Sequence, residues 1–191
     1  MRYEPGKYYH VYNRGMNNKN IFVSQENYRY CLQLLHKYAV ENNVSILAYC
    51  FMPDHYHCIL QQHGDGSIQR CLQALFKEYT QSFNQEHHRS GTLFEGRAKA
   101  HEVDNDLYIV QVCAYIHLHP VSAQLTNTPE EWEFTDYKDW IDIRQSDSTD
   151  LSLRNSFFDN GKQYRNFIES QRLDRVDEKF ERLKHDENAR R

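Results

Sequence analysis

The sequence predicts an α+β fold, an antiparallel sheet with helices packed on it. Short segments rich in β-formers alternate with longer segments whose apolar residues recur at helical period. Two of the β segments are joined only by residues 52–54, MPD, a link too short for a parallel crossover. A chain of 191 residues is long enough for one domain with a sizeable core. The resulting order, β-α-β-β-α-β-α, is ferredoxin-like in its core.

The first strand is YYHVYNRG, residues 8–15, an alternating run closed by Gly15. After the polar MNNKN, residues 24–43 read as a helix. Ser24 can cap it, and Tyr28, Cys31, Leu32, Leu35, Tyr38 and Ala39 repeat with helical period. VSILAYCF (44–51) and HYHCILQQ (55–62) are the second and third strands, with Pro53 and Asp54 as turn residues between them. GDGS ends that hairpin. Residues 67–87 form a second amphipathic helix, with Ile68, Cys71, Leu72, Leu75, Phe76 and Tyr79 on its apolar stripe. The loop RSGTLFEG leads to a fourth strand at 97–103. A third helix, 104–119, is capped by Asp104 or Asn105 and is expected to stop at Pro120. Beyond about residue 125 the chain turns acidic, with isolated aromatics in EEWEFTDYKDW. RQSDSTDLS then reads as a linker, and the rest as a charged helical tail. The expected division is a folded domain over 1–140 and a linker with helical tail, of unassigned role, over 141–191.

No apolar run approaches the roughly 18 residues that span a bilayer. The first residues lack the apolar stretch of a signal peptide, so a cytoplasmic protein without membrane contact is expected. The five cysteines are scattered and form no C-x-x-C pair, which argues against a disulfide framework or a thiolate zinc site. The formal net charge of −4 argues weakly against a nucleic-acid partner. Yet residues 1–100 carry 11 Lys and Arg against 8 Asp and Glu, so the amino-terminal half can present a basic face that the total conceals. Fourteen tyrosines and 11 histidines suit either stacking on unpaired bases or an aromatic-rich core.

Chemistry concentrates in MPDHYHCIL. On a strand, His55 and His57 project from one face while Tyr56 turns away. Imidazoles so placed can pack, bond to neighbours, or share a divalent ion. On the third helix Tyr115 and His119 stand one turn apart on one face, in a polar stripe with Tyr108 and Gln111. Leu107, Val110, Cys113, Ala114 and Leu118 supply the buried side. If that helix crosses the sheet, His119 can join His55 and His57 at an ion with open positions, beside Tyr115. The alternative is a half-buried Tyr115 and a His119 that only caps the helix end. Of the remaining tyrosines, only Tyr108 shares the face of His119, and it lies about two turns further back than Tyr115.

MPDHYHCIL resembles the His-hydrophobic-His (HUH) motif of single-tyrosine transposases. YHVYNRG, SGTLFEGRAKA and AYIHLHPVSA resemble, in the same order, segments of their REP-associated tyrosine transposase branch, over about residues 5–140. The resemblance implies that 1–140 is the catalytic domain. It also implies that His55 and His57 bind the metal, that Tyr115 is the nucleophile, and that the residue four further on completes the coordination. That position is usually Asn or Gln in the family and is His119 here, a departure that shifts preference from Mg²⁺ towards Mn²⁺. The implied reaction is nicking and strand transfer of single-stranded DNA through a 5′-phosphotyrosine, beside a hairpin such as a repeated palindrome, by a monomer or a homodimer. Arg14, Arg97 and Lys99 lie in the resembling segments and Arg70 and Lys77 on the second helix, each a candidate DNA contact. Two other readings stay open: a hairpin-binding module without turnover, and a metal-dependent phosphodiesterase that activates water.

Overall fold

In the computed structural model, residues 2–171 are described, apart from the side chains of Asp106 and Leu107. Four strands and three long helices follow in the expected order: β1 (Tyr8–Arg14), α1 (Gln25–Glu41), β2 (Val44–Phe51), β3 (His55–Gln62), α2 (Ile68–Glu86), β4 (Lys99–Val103) and α3 (Asp106–Ser122). Polar side chains start the helices. Ser24 and Ser67 hydroxyls accept from the Asn27 and Arg70 amides, and Asn105 Oδ1 accepts from the Tyr108 amide.

The sheet runs β2-β3-β1-β4 with every neighbour antiparallel, the ferredoxin-like order. Side-chain alternation divides it into two faces. Tyr9, Val11, Tyr56, Cys58 and Leu60 enter one core with Cys31 and Leu35 of α1 and Cys71, Leu75 and Tyr79 of α2. Ile59 and Val103 enter the other, beneath Val110, Cys113, Ala114 and Leu118 of α3. In β2 the register slips between Ile46 and Ala48, so Leu47 and Ala48 both join the α3 side. All five cysteines are free and buried.

The structure differs from the sequence expectation at two places. Pro120 does not stop α3; it lies inside the helix, which continues to Ser122. Proline removes one amide donor, but later bonds persist: the Ala123 amide reaches the His119 carbonyl at 2.9 Å, and the Ser122 hydroxyl donates to the Leu118 carbonyl. Residues 141–171, expected as a linker and helical tail beyond the folded domain, instead pack into its core. After the short α4 (Tyr137–Trp140) come α5 (Ser152–Phe157) and α6 (Gly161–Ser170). Leu153, Tyr164 and Ile168 are buried with Trp140 in the α3-side core, because these isolated apolar residues find a common surface only in three dimensions. The expected charged tail over 172–191 lies outside the described residues. Among the described residues, no helix is long and apolar enough to cross a membrane.

Candidate active site

The turn before β3 is held by its neighbours. The Pro53 carbonyl accepts from the Ile21 and Phe22 amides, and the Asp54 carbonyl accepts from the Gly15 amide at 2.7 Å. A Cβ on Gly15 would overlap the Lys19 carbonyl oxygen, so only glycine lets the 15–19 loop fold back this tightly at the end of β1. From that turn β3 projects His55 and His57 towards α3. One turn of α3 brings Tyr115 and His119 to the same place.

His55, His57 and His119 each offer a ring nitrogen, and these atoms lie within 4.8 Å of one another. The Tyr115 ring centroid is 5.5 Å from that of His57 and 4.9 Å from that of His119. His55 and His119 present Nε2 to Nε2 at 2.6 Å. One ring N–H donating to the other accounts for this contact, and with both nitrogens deprotonated the same two lone pairs would face a single cation, which is the first sign that the trio fits a metal. The second is the outer layer. Asp54 Oδ1 lies 2.6 Å from His55 Nδ1, and His10 Nε2 lies 2.9 Å from His57 Nδ1. If each Nδ1–H donates outward, both Nε2 lone pairs are left for an ion, the arrangement that orients metal-binding imidazoles. Bonds of about 2.0–2.1 Å to one ion would need the 2.6 Å pair to open slightly.

The histidines continue an aromatic tier across the sheet. Tyr12 of β1 stacks on His57 at 5.7 Å and its hydroxyl lies 3.0 Å from His101 Nε2 on β4. His10, also on β1, stacks on His57 at 5.1 Å and is buried. Sequence reasoning missed His10, Tyr12 and His101 as site residues and treated Asp54 only as a turn residue. Alternation along β1 does place His10 with Tyr8 and Tyr12. What ties them to His57 is the pairing Tyr12↔His57, which needs the sheet order.

Between Tyr115 and His119, His117 points away from the site into the core. Its Nε2 lies 3.0 Å from Asp136 Oδ1, its Nδ1 2.6 Å from the Tyr164 hydroxyl, and all three side chains are fully buried. Asp136 also accepts from the Tyr49 amide and the Trp140 indole. A donating Nε2–H and an accepting Nδ1 satisfy every group, so α6 and the 135–140 segment lock the helix that carries Tyr115 and His119.

Other tyrosines sit elsewhere. Tyr28, Tyr49 and Tyr79 lie in the core of α1 and α2, where burial pushes each phenol above its ordinary pKa. The same cause raises Tyr164. Among the candidate DNA contacts, Arg14 pairs across strands with His55 and forms an ion pair with Glu95. Lys99 pairs with Tyr12 on the histidine face. Arg97 precedes β4 and lines a cavity on the opposite face. Arg70 and Lys77 are exposed on α2, which also packs on that opposite face. The structure thus gathers His55, His57, His119 and Tyr115, with Arg14 and Lys99 on neighbouring strands, and sets Arg97, Arg70 and Lys77 apart.

Residues 5–119 match the family described as IS200-like transposases. No curated protein matches the sequence. Among solved structures, that of a REP-associated tyrosine transposase bound to a REP hairpin is similar over 80% of this chain and 93% of its own, at 18% identity and a TM-score of 0.61. A protein of Deinococcus radiodurans R1 described as a transposase is similar over 61% of this chain and 95% of its own, at 21% identity and a TM-score of 0.43. The first of these likenesses speaks for the fold, whereas the family match spans more than half of the chain and contains the histidine trio and Tyr115. The chain belongs to the IS200-like transposase family, and its activity is one of DNA transposition.

Proposed function

We propose that this protein nicks single-stranded DNA beside a hairpin and transfers the strand, with Tyr115 as nucleophile and His55, His57 and His119 as ligands of a divalent ion. One observation carries the reading: the Tyr115 ring lies beside three imidazoles whose nitrogens converge within 4.8 Å. A bound ion supplies positive charge to the non-bridging oxygens of the scissile phosphate. Three imidazoles favour a transition metal, so Mn²⁺ is preferred over Mg²⁺.

Tyr115 attacks phosphorus in line. Its oxygen forms a 5′-phosphotyrosyl bond as the bond to the 3′ oxygen breaks; the phenol loses a proton and the departing 3′ oxygen gains one. The ester's energy stays in the covalent link, so another 3′-hydroxyl can reverse the step without a nucleoside triphosphate. Burial of Tyr115 restricts competing water. Asp54 and His10 hold the two β3 imidazoles, and Arg14 and Lys99 are placed to meet the phosphates that flank the break. Hairpin DNA as substrate draws support from the structural relative, which is bound to a REP hairpin. One chain supplies all four residues, so a monomer suffices. Residues 1–140 then carry the chemistry, and 141–171 brace α3.

The test is denaturing electrophoresis and mass spectrometry of the full chain after incubation with a hairpin oligonucleotide and Mn²⁺. The expected result is a nucleotide on Tyr115, absent in Tyr115→Phe although that variant still binds DNA. His55→Ala and His57→Ala should each abolish cleavage, while His119→Asn should retain reduced activity. Free 5′-phosphate product from Tyr115→Phe would favour a water-using phosphodiesterase, and binding without cleavage under every metal would favour a binding module.

A further inference from the structure

When Tyr115 displaces the 3′ oxygen, that oxygen must gain a proton. An alkoxide is a strong base and a poor leaving group, and a positioned proton donor contributes typically about 10²–10⁴-fold to a step of this kind. We propose, on the strand-transfer reading above, that Tyr12 is that donor and that His101 resupplies it.

Three observations carry the assignment. The first is direction. Tyr12 of β1 pairs with His57 of β3 on one side and with Lys99 of β4 on the other, so it stands in the middle row of the histidine face. Its ring stacks on His57 at 5.7 Å and 25°, whereas the Tyr115 ring meets the same imidazole at 5.5 Å and 85°. One phenol comes from the sheet and the other from the helix packed on it. An in-line displacement puts the entering and leaving oxygens on opposite sides of phosphorus. A phosphate lodged beside His57 can thus turn one side to Tyr115 and the other to Tyr12.

The second is what stands behind the hydroxyl. The Tyr12 hydroxyl lies 3.0 Å from His101 Nε2, and the two rings stack at 5.7 Å. A phenol, with an ordinary pKa of about 10, is a usable acid towards an alkoxide, but a phenolate left beside DNA phosphates is costly. A protonated His101 removes that cost. Its Nε2 proton passes to the Tyr12 oxygen as the Tyr12 proton passes to the 3′ oxygen. Tyr12 ends as a neutral phenol and His101 as a neutral imidazole. The proton lost by Tyr115 goes to solvent, from which His101 regains its own, and the nearby phosphate favours the charged imidazole. On rejoining, the path runs in reverse: the attacking 3′-hydroxyl gives its proton to Tyr12, and His101 takes one up.

The third is access. Tyr12 and His101 are half-buried, while His10 beside them is buried. Lys99 is exposed on the edge strand next to Tyr12, where its ammonium can hold a phosphate oxygen against the same hydroxyl.

The test measures single-turnover adduct formation by the full chain, at saturating protein, on a hairpin oligonucleotide with Mn²⁺. Two substrates are compared: the natural linkage, and one in which sulfur replaces the 3′ oxygen at the bond that wild type breaks. A thiolate departs without a proton. The variants are Tyr12→Phe, which keeps the ring, and His101→Gln, which keeps a hydrogen-bonding group. Thermal melting checks their folding, and anisotropy in EDTA checks that they bind the hairpin as wild type does. Each should form the Tyr115 adduct about 100-fold more slowly on the natural linkage and less than about threefold more slowly on the sulfur linkage. An undiminished rate on the natural linkage, or equal slowing on both, overturns the proposal. A wild-type adduct with unslowed variants sinks the proton path alone, whereas no Tyr115 adduct from wild type on either substrate sinks the strand-transfer reading with it.

Discussion

His57 shows how single contacts set the chemistry. In the proposed site, the nitrogen it would turn to the ion depends on where its other nitrogen's proton goes, and His10 Nε2 is the partner at 2.9 Å. Replacing His10 by Phe keeps the ring but removes that acceptor. Because outer-layer partners typically contribute about 10–100-fold to metal affinity, His10→Phe should weaken Mn²⁺ binding by that order in titration calorimetry. An unchanged affinity would show that His57 is held by packing alone. Tyr12 is the other instructive residue, since it also stacks on His57. Its hydroxyl is engaged with His101, so Tyr12→Phe should still form the protein–DNA adduct, measured on the gel that reports Tyr115→Phe. An adduct lost in Tyr12→Phe and kept in Tyr115→Phe would reverse the assignment.

At the scale of elements, α3 carries two residues of the proposed site and is also a core helix. His117 reconciles the two roles by turning inward between Tyr115 and His119. Tyr164→Phe removes the hydroxyl at His117 Nδ1 while leaving the ring in place. A buried acceptor left without its donor costs about 1–3 kcal/mol, and urea unfolding should record a loss of that size. Adduct formation should slow as well, because the helix bearing the nucleophile loses a tether to α6; a stability loss with an unchanged rate would confine the network to folding. The β1 end gives a second case. Gly15→Ala drives a methyl into the Lys19 carbonyl, and overpacking of this kind costs typically 1–3 kcal/mol, roughly, in the same unfolding assay.

Across the whole molecule, the sheet separates two tasks. The face under α1 and α2 is built as core, with the cavity at its β4 margin, and the face under α3 is part core and part histidine tier. An ion held as proposed, by residues of both β3 and α3, would join sheet to helix only in the folded state. Mn²⁺ should therefore raise the thermal midpoint progressively with its free concentration, and EDTA should reverse the rise. His55→Ala/His57→Ala should melt at the same temperature with and without Mn²⁺. A persistent shift in that variant would place the ion elsewhere.

The sequence by itself determined the element order and the class of fold, and it singled out the four residues of the proposed site. Periodicity is a local property, and the β-α-β-β-α-β-α order, the His55–His57 pair and the Tyr115–His119 pair are each set within a few neighbouring residues. Tertiary structure decided what depends on contacts between distant segments. His10 reaches His57 only because β1 lies beside β3, and Asp136 and Tyr164 reach His117 only because residues 135–168 fold back over α3. Pro120 reads as a helix stop because the missing amide is local, yet the burial of α3 on the sheet and under α6 outweighs the loss of one hydrogen bond. Arg70 and Lys77 belong to the same case: a positive charge is visible in one residue, but the face of the sheet it serves is not.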